Sequence, residues 1–85
     1  MYSVGIDVSK GKSTVAIIDI VGILKEKVFE VQHNQAGILT CLSHLNLYNN
    51  HEIKIVMEAT SHYHYPLLFA LHKQGFFVCV ESSGY

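Results

Sequence analysis

The hydrophobic period changes once along this chain, and the change dictates its element types. Over the first third, apolar residues recur at every second position, whereas from residue 35 they recur at every third or fourth. Tyr2 to Ser9 alternates, with Val4, Ile6 and Val8 on one face and Gly5, Asp7 and Ser9 on the other, which predicts a strand. Gly11 marks a turn, the β-branched stretch Ser13 to Ile20 predicts a second strand, and Gly22 marks the next turn. Leu24 to Gln32 reads as a third strand whose charges suit a sheet edge. Connections this short imply an antiparallel meander.

Helical spacing follows. Ile38, Leu39, Leu42 and Leu45 share a stripe from Gln35 to about Tyr48, with Asn34 placed to cap the first turn. Ile53 to Met57 is a short apolar run suited to a strand buried on both faces and parallel to its neighbour. A second helix is expected to start between His62 and Pro66 and to run through Gln74, ended by Gly75. Phe76 to Val80 reads as a fifth strand. The order β-β-β-α-β-α-β predicts an α/β fold with a mixed five-stranded sheet, its first three strands a meander. That is the order of the ribonuclease-H-like fold, and it also opens the sugar kinases, actin and the heat-shock chaperone ATPases.

Composition narrows the function classes. With 85 residues the chain is at most one small domain, and 49% hydrophobic against 15% charged residues is a core-forming balance. No apolar run approaches the ~20 residues of a membrane span, so no membrane role is expected. Cys41 and Cys79 lie far apart within apolar patterns and read as reduced thiols of a cytoplasmic protein. Six lysines, no arginine and a net charge of -1 do not make the basic face of a protein built mainly to grip phosphate.

Two of the seven acids stand in awkward places. Asp7 is mid-strand between Ile6 and Val8, at the expected centre of the sheet, and Glu58 stands where the fourth strand ends. In this topology both carboxylates reach the region where α/β sites form. Carboxylates ~5 Å apart repel by ~3 kcal/mol at an effective dielectric near 20, and a divalent cation between them removes that penalty. Oxygen ligands favour Mg²⁺ or Mn²⁺ over zinc. The alternative is that Asp7 pairs with Lys10 or Lys12, or caps a nearby turn. Asp19, Glu26, Glu30, Glu52 and Glu81 read as solvated or turn residues. His62-Tyr63-His64-Tyr65 lacks a third ligand for zinc, and His33, His44, His51 and His72 read as surface.

At these same residues the chain resembles a known family. Val4-Gly-Ile-Asp-Val-Ser-Lys10, Val15-Ala-Ile-Ile-Asp-Ile-Val-Gly22, Asn34-Gln-Ala-Gly37 and Glu58-Ala-Thr-Ser-His-Tyr63 look like the N-terminal DEDD, RuvC-like domain of transposases of the "one-ten" insertion-sequence group, relatives of the Piv DNA invertase. Pro66-Leu-Leu and Leu71 through Gly75 extend the likeness over nearly the whole chain. The resemblance implies that residues 1–85 are the N-terminal part of that domain, without a second domain. It implies that Asp7 and Glu58 are the first D and the E of the tetrad, binding Mg²⁺ or Mn²⁺ for cutting and joining DNA during transposition.

The family's last two aspartates lie on a later helix, and its second domain carries a serine implicated as a nucleophile. An isolated fragment is therefore expected to be inactive, with weak or absent metal binding. Ser9, Lys10, Thr60 and Tyr63 are the residues expected near nucleic acid. DNA, an element-encoded RNA and a second copy of the protein are the expected partners. The chain departs from the family at Ser61, where glycine is usual, and at Glu81-Ser-Ser-Gly-Tyr85, where an Asn-Pro segment is usual. Two alternatives remain. A sugar-kinase or chaperone-type ATPase also opens with Gly-Ile-Asp, though those folds need Gly and Thr where Ser9 and Lys10 stand. A non-catalytic interaction relic is the other.

Overall fold

A computed structural model describes residues 1–48, 50–59 and 65–82. The elements are β1 (Tyr2–Ser9), β2 (Lys12–Ile18), β3 (Phe29–Gln32), α1 (Gln35–Leu45), a 3-10 turn (Asn50–Glu52), β4 (Ile53–Ala59), α2 (Tyr65–Lys73) and β5 (Phe77–Ser82). They form one five-stranded sheet in the order β3-β2-β1-β4-β5. β1 pairs antiparallel with β2, and β2 with β3, while β1–β4 and β4–β5 are parallel. This is the expected α/β architecture, with β1 at the centre and the charged third strand at an edge.

Both helices cover the same side of the sheet. Inward residues of the strands, among them Val4, Ile6, Val15, Ile55 and Met57, meet Cys41 and Leu45 of α1 and Leu67 and Leu71 of α2. The α1 residues Gly37, Cys41 and Leu45 lie on one stripe, four apart, and are its buried positions. Asn34 caps the helix as expected, its side-chain oxygen accepting from the Gly37 N–H at 2.8 Å. Gly37 also lies hard against the end of β3, where a Cβ would run into the Gln32 backbone. Among the described residues no helix covers the opposite face of the sheet, and none is long and apolar enough to cross a membrane.

Boundaries differ from expectation where side chains compete with the ladder. β3 begins only at Phe29, not Leu24, and β2 stops at Ile18, where Asp19 turns the chain. Its Oδ1 accepts from the N–H groups of Val21 and Ile23, both at 3.0 Å, and Gly22 takes φ +89°. Leu24 then makes an isolated bridge to Ile18. Helix α1 ends at Leu45, with Asn46 as its cap, three residues before Tyr48. β4 runs on to Ala59, and β5 begins at Phe77 and runs on to Ser82. Both extensions change the site.

Candidate functional site

Alternation decides which side chains face the uncovered side. In β1, Val4, Ile6 and Val8 point into the core, so Gly5, Asp7 and Ser9 point outward. In β4, Ile53, Ile55, Met57 and Ala59 are buried, leaving Lys54, Val56 and Glu58 outward. The parallel register sets Asp7 directly beside Glu58, on strands about 4.8 Å apart. Because β4 continues past Met57, Glu58 lies inside the strand and not in the loop after it. Its position is therefore fixed by ladder hydrogen bonds on both sides.

The same row continues across the whole sheet. Glu58 is in register with Glu81 of β5, and Asp7 with Thr14 of β2, which is in register with Glu30 of β3. Four of the chain's seven acids thus stand in one line, Glu30–Thr14–Asp7–Glu58–Glu81. Glu81 and Glu30 were not singled out by the sequence. Glu81 joins the row only because β5 extends beyond Val80, and its alternation with Val78 and Val80 was the signal available.

The open face also changes the energetics. Asp7 is exposed, so it escapes the desolvation penalty of a buried carboxylate and needs no partner to be stable. In solvent the repulsion between Asp7 and Glu58 falls to about 1 kcal/mol or less. Neither expected lysine neutralises Asp7. Lys12 Nζ instead meets Glu30 Oε2 at 3.3 Å, and Lys10 is exposed in the turn. Ser9 Oγ donates to the Lys12 carbonyl at 3.1 Å and so closes the β1–β2 turn, in which Gly11 takes φ +80°. Thr60 and Tyr63 lie outside the described residues, as do Ser61, His62 and His64.

The donor chemistry suits a hard cation. Asp7 and Glu58 present carboxylate oxygens side by side, and a Cβ added at neighbouring Gly5 would meet nothing within 4 Å. Among the described residues no three His, Cys, Asp or Glu side chains converge tightly enough to hold a metal ion. The chain therefore provides a two-carboxylate edge, open for further ligands.

Two histidines expected at the surface are half-buried. His33 Nε2 lies 2.7 Å from the Oγ of fully buried Ser13, and burial pushes the His33 pKa below its ordinary value. His44 stacks on Phe29 with ring centroids 3.9 Å apart and pairs through Nδ1 with Glu26, which also accepts from Tyr48. These contacts bind the segment before β3 to the end of α1. They lie apart from the carboxylate row.

Comparison with known proteins supports the same fold. A family model described as a transposase, the DEDD type of insertion sequence IS110, matches residues 4–83. No match was found among curated proteins. Among solved structures, Pelota of Archaeoglobus fulgidus is similar at 13% identity and a TM-score of 0.60, covering 99% of this chain and 27% of its own. RuvC of Thermus thermophilus is similar at 15% identity and a TM-score of 0.55, covering 96% of this chain and 64% of its own. At such identities both neighbours speak for the fold alone, which is RuvC-like. The chain spans less than two thirds of either.

Proposed function

We infer from one premise, that this chain belongs to the IS110-type family of DEDD transposases, that it forms the N-terminal part of a metal-dependent enzyme that cuts and joins DNA. Family membership also separates it from the ATPases that share its opening element order. The observation that carries the reading is the register of Asp7 with Glu58 on the uncovered face. Two outward carboxylates on the central pair of parallel strands form a rigid anionic edge, because both backbones are locked into the sheet. Gly5, one pleat away, leaves the space beside them free.

Asp7 and Glu58 would hold Mg²⁺ or Mn²⁺, and such an ion, when bound, would supply the charge that polarises a phosphodiester oxygen and activates an oxygen nucleophile. The carboxylates fix where that charge sits, and the sheet keeps them from closing on each other when it is absent. Two protein ligands leave most of an octahedral shell to other groups. The further aspartates of the parent protein are expected among them, with DNA and an element-encoded RNA as partners of the whole enzyme.

The test is Mn²⁺ titration of the ¹⁵N-labelled chain. Paramagnetic broadening should centre on the amides around Asp7 and Glu58 and weaken in Asp7→Asn and Glu58→Gln. Broadening that ignores both substitutions would sink the reading. In the parent protein either substitution should abolish strand cutting.

A further inference from the structure

Opposite ends of the uncovered sheet face carry opposite chemistry. The acid row crosses the carboxyl ends of the parallel strands. Lys54 stands four residues before Glu58 on β4, about 13 Å away along the strand. It is in register with Ser3 of β1 and with Phe77 of β5, and Ser3 is in register with Ile18 of β2. The row Ile18–Ser3–Lys54–Phe77 therefore holds one charge, a cation, and one aromatic ring. Among the described residues Lys54 makes no ion pair.

A cleft of about 340 Å³ opens at this end of the sheet. Lys54 and Phe77 line it together with Met1, His51, Ile53 and Gly75. Its volume is at the small end of the range for ligand sites, about 300–1,000 Å³. The pair Phe76-Phe77 divides beside it: Phe76 is buried in the core, whereas Phe77 is 62% exposed. The Phe77 ring thus presents its surface next to an ammonium group, on backbone held by the β4–β5 ladder. Gly75, at φ +87°, turns the chain from α2 into β5. Glu52, beside His51 in the 3-10 turn, does not line the cleft.

We propose that this cleft binds one nucleotide, its base on the Phe77 ring and its phosphate against Lys54. Every base has a π-face, and stacking on an aromatic side chain holds it without regard to sequence. Lys54 selects an anion, while Phe77, Met1 and Ile53 select a flat, apolar body joined to it. A simple anion would leave the ring surface unused, and a purely apolar ligand would leave the ammonium unused. The same chemistry has two sources, a free nucleotide or one unit of a single strand. The cleft lies at the other end of β4 from Glu58 and needs no metal, so the inference goes beyond the strand-cutting reading.

The test is titration of the ¹⁵N-labelled 85-residue chain, in EDTA, with adenosine monophosphate and separately with a short single-stranded oligothymidylate. Amide shifts should gather at His51, Lys54, Gly75 and Phe77, with a Kd of about 1 mM or below. Phe77→Leu keeps apolar bulk but removes the π-face and should weaken binding about tenfold, whereas Phe77→Tyr should not. Lys54→Gln should flatten the salt dependence of oligothymidylate binding by about 0.7 in log Kd per log salt, the share of one phosphate contact. Both positions are exposed, so thermal unfolding should show these variants folded. Tighter binding of the oligonucleotide with the same shifts assigns the cleft to a strand, and equal or weaker binding assigns it to a free nucleotide. No shift at these residues with either probe up to about 10 mM would overturn the proposal. So would an affinity indifferent to both Phe77→Leu and Lys54→Gln. EDTA removes divalent cations, so this titration and the Mn²⁺ titration fail independently.

Discussion

Glu81 stands in register with Glu58 across the parallel β4–β5 pair, as Asp7 does on the other flank. Like charges directly opposite on a sheet destabilise it by a few tenths to about 1 kcal/mol per pair. Glu58 has two such neighbours, so removing its charge relieves more repulsion than removing either flank. In metal-free, low-salt buffer, Glu58→Gln should therefore raise Tm by about 2–6 °C, more than Glu81→Gln does. Added salt should shrink the gain by screening, and millimolar Mg²⁺ should stabilise the wild type more than Glu58→Gln. Calorimetry at two ionic strengths checks this, and a lower Tm for Glu58→Gln would contradict it.

At Gly37 the first turn of α1 lies against the end of β3. A Cβ built there would lie 2.7 Å from both the backbone N and C of Gln32, and closer still to its carbonyl oxygen. Backbone at the end of β3 cannot swing aside like a flexible side chain. Gly37→Ala gains helix propensity yet must push α1 outward, so a net loss of about 2–4 kcal/mol is expected in urea unfolding. Ala36→Gly, on the exposed side of the same turn, should cost only about 1 kcal/mol.

How much of this was legible follows from how local each cause is. The Val4, Ile6, Val8 alternation and the Asn34 cap act within a few residues, and both read correctly from sequence. The adjacency of Asp7 and Glu58 required only the topology. Glu81 was legible only in its face, through alternation with Val78 and Val80, because its place in the row depends on where a parallel register lets β5 end. The overlong third strand failed for another reason: the register with β2 changes between Leu24, which bridges Ile18, and Phe29, which pairs with Val15, and Glu26 in between is drawn to His44 and Tyr48. His33 looked like a surface residue because its partner Ser13 is twenty positions away.

The two cysteines report separately on core and open face. Cys41, on the sheet-facing side of α1, is fully buried, and burial pushes its thiol up to about 11. Cys79 is exposed in β5. At pH 8 only about a thousandth of Cys41 is thiolate, and the thiolate is the reacting form. A thiol reagent in excess should label one cysteine quickly, identified as Cys79 by peptide mapping. The second should react only as the chain unfolds, about a hundredfold slower or more. Equal rates would mean that α1 is not packed on the sheet.

Burial of His33 has a definite sign. Its pKa is lowered from 6.5, so the folded chain prefers the neutral ring held against Ser13 Oγ. Above pH 6.5 the ring is neutral in both folded and unfolded chains, and its ionisation contributes no pH dependence. As pH falls through 6.5 the unfolded chain takes up the proton first, and stability declines until the folded pKa is also passed. Urea midpoints should accordingly drop between pH 7.5 and 5.5. His33→Gln removes the titrating ring while keeping a polar group near Ser13, so its midpoint should fall by visibly less over the same interval. Its midpoint at pH 7.5 should lie below the wild type's, because a glutamine amide cannot reproduce the ring's fit. A His33→Gln profile parallel to wild type would show that the pH dependence arises elsewhere.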